Sequence, residues 1–225
     1  MRALHALAQA LFPAKCVLCG AVLERDELDL CRKCRVEESA YPKPRSKRPF
    51  LDGWTALWYY GGNVRKSILR YKFSNVRSHA CAYGRLLAMK IREDLEGEFD
   101  VLTWIPISPL RRLRRGYDQV ELLAKAVAQE LQMEPVRVLK KVRNNKPQSR
   151  IRGEAQRRAN VLGVYKIISP ETVENKKVLL LDDIITTGAT ASEAARVLLT
   201  AGAEEVYFAA LAAADHNHTI KKSSR

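Results

Sequence analysis

Apolar and polar positions along the chain follow two alternating periods. Residues 54–60 form an apolar run, then Asn63 reads as the N-cap of a helix over VRKSILRYKF. Ser78 reads as the cap of a second helix, which brings Tyr83, Leu86, Leu87 and Ile91 to one face. The short apolar run at 101–107 has the length of a buried strand. From about Asp118 a helical stripe follows, carried by Val120, Leu123, Ala124, Val127 and Leu131. Residues 140–160 are basic and polar with no apolar stripe, and read as a long functional loop. Two further strands, 178–181 and 206–211, are joined by a helix containing Ala194, Ala195, Val197 and Leu198 that stops at Gly202, which is a βαβ unit. Helices alternating with strands predict an α/β domain with a parallel sheet over 54–215. Residues 216–225 lack apolar anchors and read as a flexible tail. The longest apolar run, 206–214, is far shorter than the roughly 20 residues of a spanning helix, so no membrane insertion is expected.

The front of the chain differs. A short amphipathic helix is expected over the first 13 residues, where His5 and Gln9 interrupt the apolar run and argue against a signal peptide. Cys16, Cys19, Cys31 and Cys34 then form two CxxC pairs separated by 11 residues. Each pair can present two thiolates to one side of a tetrahedral Zn²⁺, and four protein ligands leave no open position for a reacting water. A structural zinc that folds a small head over residues 1–40 is the expectation, in a cytoplasmic protein. The fifth cysteine, Cys81, reads as an ordinary buried thiol. Residues 41–53, rich in Pro and basic side chains, read as a linker.

Composition adds a partner class. With 47% hydrophobic residues the chain can bury a core, which excludes the disordered and collagen-like classes. The net charge is +14, and residues 105–160 supply +9 of it, with 14 Lys and Arg against 5 Asp and Glu. Arg111, Arg114 and Arg115 lie just after the strand ending near 107, at the sheet edge where α/β proteins bind ligands; their guanidinium groups suit a pyrophosphate or a nucleic-acid backbone. Lys72, Arg143, Lys146 and Arg157 belong to the same anion-binding set. Tyr117, beside Arg115, reads equally as a stacking surface for an unpaired base or as packing.

The most informative stretch is VLLLDDIITTGAT at 178–190, which runs from a strand into a helix. Backbone N–H groups from Thr186 to Thr190 can enclose a phosphate at the helix N-terminus, with Gly188 allowing close approach. Asp182 and Asp183 can accept hydrogen bonds from ribose hydroxyls. The loop is neither GxxxxGK[ST] nor GxGxxG.

These thirteen residues resemble the 5-phosphoribosyl-1-pyrophosphate (PRPP) signature of type I phosphoribosyltransferases. That resemblance implies Asp182, Asp183, Thr186, Thr187, Gly188, Ala189 and Thr190 as the PRPP-binding set, with the acidic pair in the catalytic role. It also implies Mg²⁺ bridging pyrophosphate and ribose hydroxyls, and displacement of pyrophosphate by a nitrogen nucleophile. The CxxC pairs, YKF at 71–73, WIPISPLRRLRRGYDQ, KPQS with RRANVLG, and the PRPP loop occur in the order of the ComF family, which the chain resembles from 16 to 213. The likeness implies a zinc-ribbon head on a phosphoribosyltransferase-like domain, a role in DNA uptake, single-stranded DNA as ligand and a competence helicase as partner. Many members carry a second cysteine set in the head, which 35–50 lacks. Homodimerisation is expected by analogy with the fold. The alternatives to a DNA-uptake factor are an active phosphoribosyltransferase and a non-catalytic PRPP-sensing regulator.

Overall fold

The computed structural model describes residues 13–74, 76–95, 99–143 and 154–214. The amphipathic helix expected at the start, the tail at 216–225, and Lys146 with the rest of 144–153 lie outside them. Four parallel strands form the main sheet, in the order β1 (Gly53–Tyr59), β6 (Glu205–Ala213), β5 (Lys177–Ile185) and β2 (Val101–Trp104). Successive strand residues point to opposite faces. Leu179, Leu181, Ala209 and Leu211 accordingly join one apolar cluster, while Val178, Leu180, Val206, Phe208 and Ala210 join another. Both faces are covered, which is why these strands read as continuous apolar runs.

The first face packs against α2 (Gly62–Phe73), α3 (His79–Leu95) and α5 (Gln119–Leu131). At Gly84, α3 meets α5 so closely that a Cβ would lie 2.5 Å from the Ala126 methyl, so only glycine fits. The second face packs against α7 (Ala189–Thr200) and an antiparallel hairpin of β3 (Leu139–Lys141) and β4 (Tyr165–Ile167). Short helices include α1 (Arg32–Glu37) in the cysteine head and α4 (Pro109–Arg115) after β2. No helix among the described residues is long and apolar enough to cross a membrane.

Several local expectations change. Helix α2 begins at Gly62 with Gly61 at the N-cap, and the Asn63 amide donates to Glu38 Oε1 at 3.2 Å in place of capping. The stretch 140–160 is not loop throughout, because β3 ends at Lys141 and α6 (Glu154–Val161) fills its end. Three-residue strands leave no readable period. Cys81 is exposed on α3, not buried. Residues 41–52 lie along the outer edge of β1: the Tyr41 amide donates to the Leu57 carbonyl at 3.0 Å, and the Trp54 indole N–H to the Ser46 carbonyl at 2.8 Å. The Tyr41 ring sits between Trp54 and Tyr59. A proline-rich segment thereby covers part of an edge that would otherwise present unpaired backbone groups.

Candidate functional site

Two sites are built on this frame, and the first is the cysteine cluster. The turn after Cys16 is closed by hydrogen bonds from the Gly20 amide to the Cys16 carbonyl and from the Cys16 amide to the Ala21 carbonyl, with Gly20 at a φ of +81°. Cys31 caps α1, its Sγ accepting the Cys34 amide at 3.5 Å. The four sulfurs lie within 4.8 Å of one another, and Cys19 and Cys31 are 3.7 Å apart. A tetrahedral ion with Zn–S bonds of about 2.3 Å requires sulfurs about 3.8 Å apart, so the donor set fits Zn²⁺. Burial opposes the Cys16 thiolate, yet the backbone hydrogen bonds from Cys19, Cys31 and Leu18 prevail and lower that thiol to about 7.

The head is docked on the helices of the sheet domain. Ser67 Oγ donates to the Val17 carbonyl, Arg70 Nη2 to the Leu18 carbonyl at 2.6 Å, and Arg85 Nε to Asp29 Oδ2 at 2.9 Å. Cys16, Val17, Leu18 and Leu30 share one apolar cluster with Val64, Ile68, Tyr71 and Tyr83.

The second site opens at the carboxyl end of β5. The acidic pair lies in the strand's last turn of chain, and Gly188, at a φ of +81°, forms the N-cap of α7. In this left-handed conformation a side chain would be strained. Ser192 closes the first helical turn by donating its amide to the Gly188 carbonyl at 2.8 Å, and the Ala189 amide points to Thr187 Oγ1 at 3.4 Å.

Asp183 is buried, with both carboxylate oxygens engaged. Lys72 Nζ lies 2.9 Å from Oδ1, and the Gln119 side-chain amide donates to Oδ2 at 2.9 Å. Arg115 Nη1 in turn donates to Gln119 Oε1 at 2.7 Å, and its guanidinium stacks 4.7 Å over the Phe73 ring. Residues of YKF, RRGYDQ and the acidic pair therefore form one hydrogen-bonded chain, although more than 60 positions separate Gln119 from Asp183. Burial lowers the Arg115 pKa, and the charge of Asp183 counteracts it. Asp182 Oδ1 accepts the Asp183 amide at 2.7 Å. Burial and the neighbouring Asp183 charge push the Asp182 carboxyl well above the usual range, while Lys72 and Lys141 pull it back. Burial also brings Lys141 down to about 8, with Arg111 adding to the fall and Asp182 resisting it.

Of the basic residues expected at the site, Lys72 pairs with Asp183, Arg115 connects to it through Gln119, and the charge of Arg111 acts on Lys141. Arg114 is exposed on the solvent side of α4, and Arg143 lies apart, its Nη1 3.4 Å from the Leu162 carbonyl. Lys146 is outside the described residues, as is the side chain of Arg157. Tyr117 is packing: its hydroxyl donates to the Tyr71 carbonyl and Arg77 covers its ring at 4.8 Å. Sequence reasoning assigned no role to Gln119, Lys141, Tyr165 or Arg48. Gln119 had a signal, as the last residue of the quoted basic motif. Lys141 and Arg48 sat in stretches without periodicity.

A family model described as phosphoribosyl transferase domain matches residues 121–225. Together with the parallel sheet and the strand–turn–helix loop, it defines a protein with a phosphoribosyltransferase-like domain. The chain is 24% identical over 226 residues to Competence protein F of Haemophilus influenzae, covering 90% of this chain and 98% of that protein. It is 29% identical over 223 residues to Competence protein ComFC of Streptococcus pneumoniae, covering 85% and 96% respectively. These relatives, with the matched domain, support a ComF family protein. Among solved structures, one described as the allosteric regulatory enzyme of purine biosynthesis superposes over 62% of this chain at 22% identity and a TM-score of 0.43; the match spans 29% of that enzyme's chain.

Proposed function

We propose that the turn between β5 and α7 binds the ribose 5-phosphate end of PRPP, in a cytoplasmic protein that works in competence and DNA handling like its named relatives. The observation that carries this reading is the convergence of Lys72 and Gln119 on Asp183, with Arg115 holding Gln119, beside the Thr/Gly turn. The turn supplies amides and a helix N-terminus for a phosphate. Lys72 and Gln119 hold Asp183 in place, and Asp182, with one oxygen unengaged among the described residues, has capacity to spare for a ribose hydroxyl in either protonation state. Mg²⁺ would enter with the pyrophosphate, and Asp182 is the residue best suited to meet it.

Calorimetric titration with PRPP and Mg²⁺ tests this. Wild-type protein is expected to bind saturably, and Asp182→Asn/Asp183→Asn to lose at least about a hundredfold in affinity. Equal binding by both would overturn the assignment of the loop. Pyrophosphate release, followed in parallel, separates a transferase from a sensor.

A second reading concerns single-stranded DNA, and a specific observation favours it. Helix α4 buries none of its residues, exposes Leu113, Arg112 and Arg114, and ends at Arg115 stacked on Phe73, a residue that is itself 65% exposed. An aromatic face beside cations is the arrangement that stacks an unpaired base and tracks its phosphates. Phe73, not Tyr117, fills the stacking role. Phe73→Ala is expected to weaken oligonucleotide binding about tenfold. Arg114→Ala should reduce the slope of log affinity against log salt by about 0.7. Unchanged values for both, measured by fluorescence anisotropy, would place DNA on another surface. A partner helicase and a homodimer belong to the same reading.

A further inference from the structure

The phosphate turn is touched by a residue far outside its own motif. Arg48, in the proline-rich segment along β1, donates from Nη1 to the Thr187 carbonyl at 3.1 Å, across 139 positions of sequence. Its stem covers Gly188, where a Cβ would lie 3.3 Å from Arg48 Cδ. Its guanidinium lies 5.2 Å over the Trp54 ring. The segment is anchored on both sides of this contact, by the Trp54 indole on the Ser46 carbonyl and by the Leu51 amide on the Arg48 carbonyl at 3.1 Å. Arg48 Nε is closed off from solvent and has no acceptor among the described residues.

The chemistry of that contact is directional. The Thr187 carbonyl and the Gly188 N–H are the two ends of one peptide group. A cation bound at the oxygen draws charge toward it and makes the N–H at the other end a stronger donor, as in any hydrogen-bonded chain. The guanidinium also adds a full positive charge beside the partial charge of the α7 N-terminus. A neutral strut would need neither the charge nor the unpaired donor at Nε.

We infer that Arg48 is a positioning residue of the phosphate subsite, acting through the Thr187–Gly188 peptide to tune the turn for a phosphate monoester dianion. The inference rests on the ribose 5-phosphate reading of the loop. It makes the segment at 41–52 part of the ligand site and ties ligand affinity to how that segment sits on β1.

The test uses full-length protein, wild type and with Arg48→Gln or Arg48→Lys, titrated with ribose 5-phosphate, with Mg²⁺–PRPP and with inorganic pyrophosphate. Arg48→Gln is expected to lose about tenfold in affinity for the two 5-phosphorylated ligands and little for pyrophosphate, with part of the loss restored in Arg48→Lys. The phosphate's second ionisation lies near pH 6. The wild-type gain in ribose 5-phosphate affinity between pH 5 and 7.5 should therefore shrink in Arg48→Gln, which a purely structural strut would not cause. If the wild type binds 5-phosphorylated ligands and Arg48→Gln matches it, the inference falls and the loop reading stands. Equal losses for all three ligands with a lowered melting temperature would make Arg48 a strut and overturn the inference. A wild type that binds no 5-phosphorylated ligand would overturn the loop reading and this inference together.

Discussion

Replacing Lys72 by Met is expected to cost about 2–4 kcal/mol of stability and nearly all PRPP affinity. The Lys72 and Asp183 side chains are only 16% and 8% exposed. Removing the cation leaves a buried carboxylate with the Gln119 amide as its remaining hydrogen-bond partner, and an uncompensated buried charge is among the costliest single defects. Asp183→Asn alone is expected to strand the ammonium in the same way, at similar cost. The double variant removes both charges and should recover part of the stability while binding no PRPP. Denaturant melts of the two singles and the double give the coupling between them. Additive losses would mean that the ion pair does not organise the site; recovery of stability without recovery of binding is the expected pattern.

Cys31→Ser is expected to have the other large effect. Loss of one thiolate should reduce zinc content from near one per chain and unfold the head, because in small metal-bound modules the binding free energy is folding free energy. The damage should extend further. Val17, Leu18 and Leu30 share an apolar cluster with Ile68, Tyr71 and Tyr83, so an unfolded head uncovers α2 and α3. Helix α2 carries Ser67 and Arg70, which hold the head, and Lys72, which holds Asp183. Faster hydrogen exchange in α2, together with weaker PRPP binding, is therefore expected on metal loss. A variant that loses zinc but keeps a folded head would refute a structural zinc; one that unfolds the head alone, with α2 protected as in the wild type, would separate the head from the phosphate site.

Much of this was legible in the sequence, where local chemistry and local geometry coincide. The cysteine quartet has a spacing that few other constraints produce, and the sulfurs do converge. The stretch 178–190 is a strand, turn and helix start that are consecutive, so its geometry follows from its own residues. The α5 stripe was readable for the same reason, with Asp118 at its N-cap accepting the Val120 and Glu121 amides. What escaped was tertiary. Short β3 and β4 owe their order to packing near α7, as Val138, Leu139, Tyr165, Ala194 and Leu198 share one cluster, and three residues carry no period of their own. Cys81, expected to be buried, is exposed because of how α3 packs, and Tyr117, open to either role, is packing under Arg77. Gln119 and Arg48 act across 64 and 139 positions, which no local pattern encodes.

The strand order also governs how the chain reaches this state. The outer strands β1 and β2 come from the first half of the chain and never pair with each other; β5 and β6, which lie between them, come from its last fifty residues. During synthesis the head, α2 and α3 emerge with no sheet to cover. Their apolar faces must wait for residues 177–213 before the layers can close. Pairing of this kind demands closure of long loops before it is rewarded, which slows folding and lengthens exposure to aggregation. Release of the nascent chain short of β6 would leave β1 without the strand it pairs with in the sheet and β5 with one side bare.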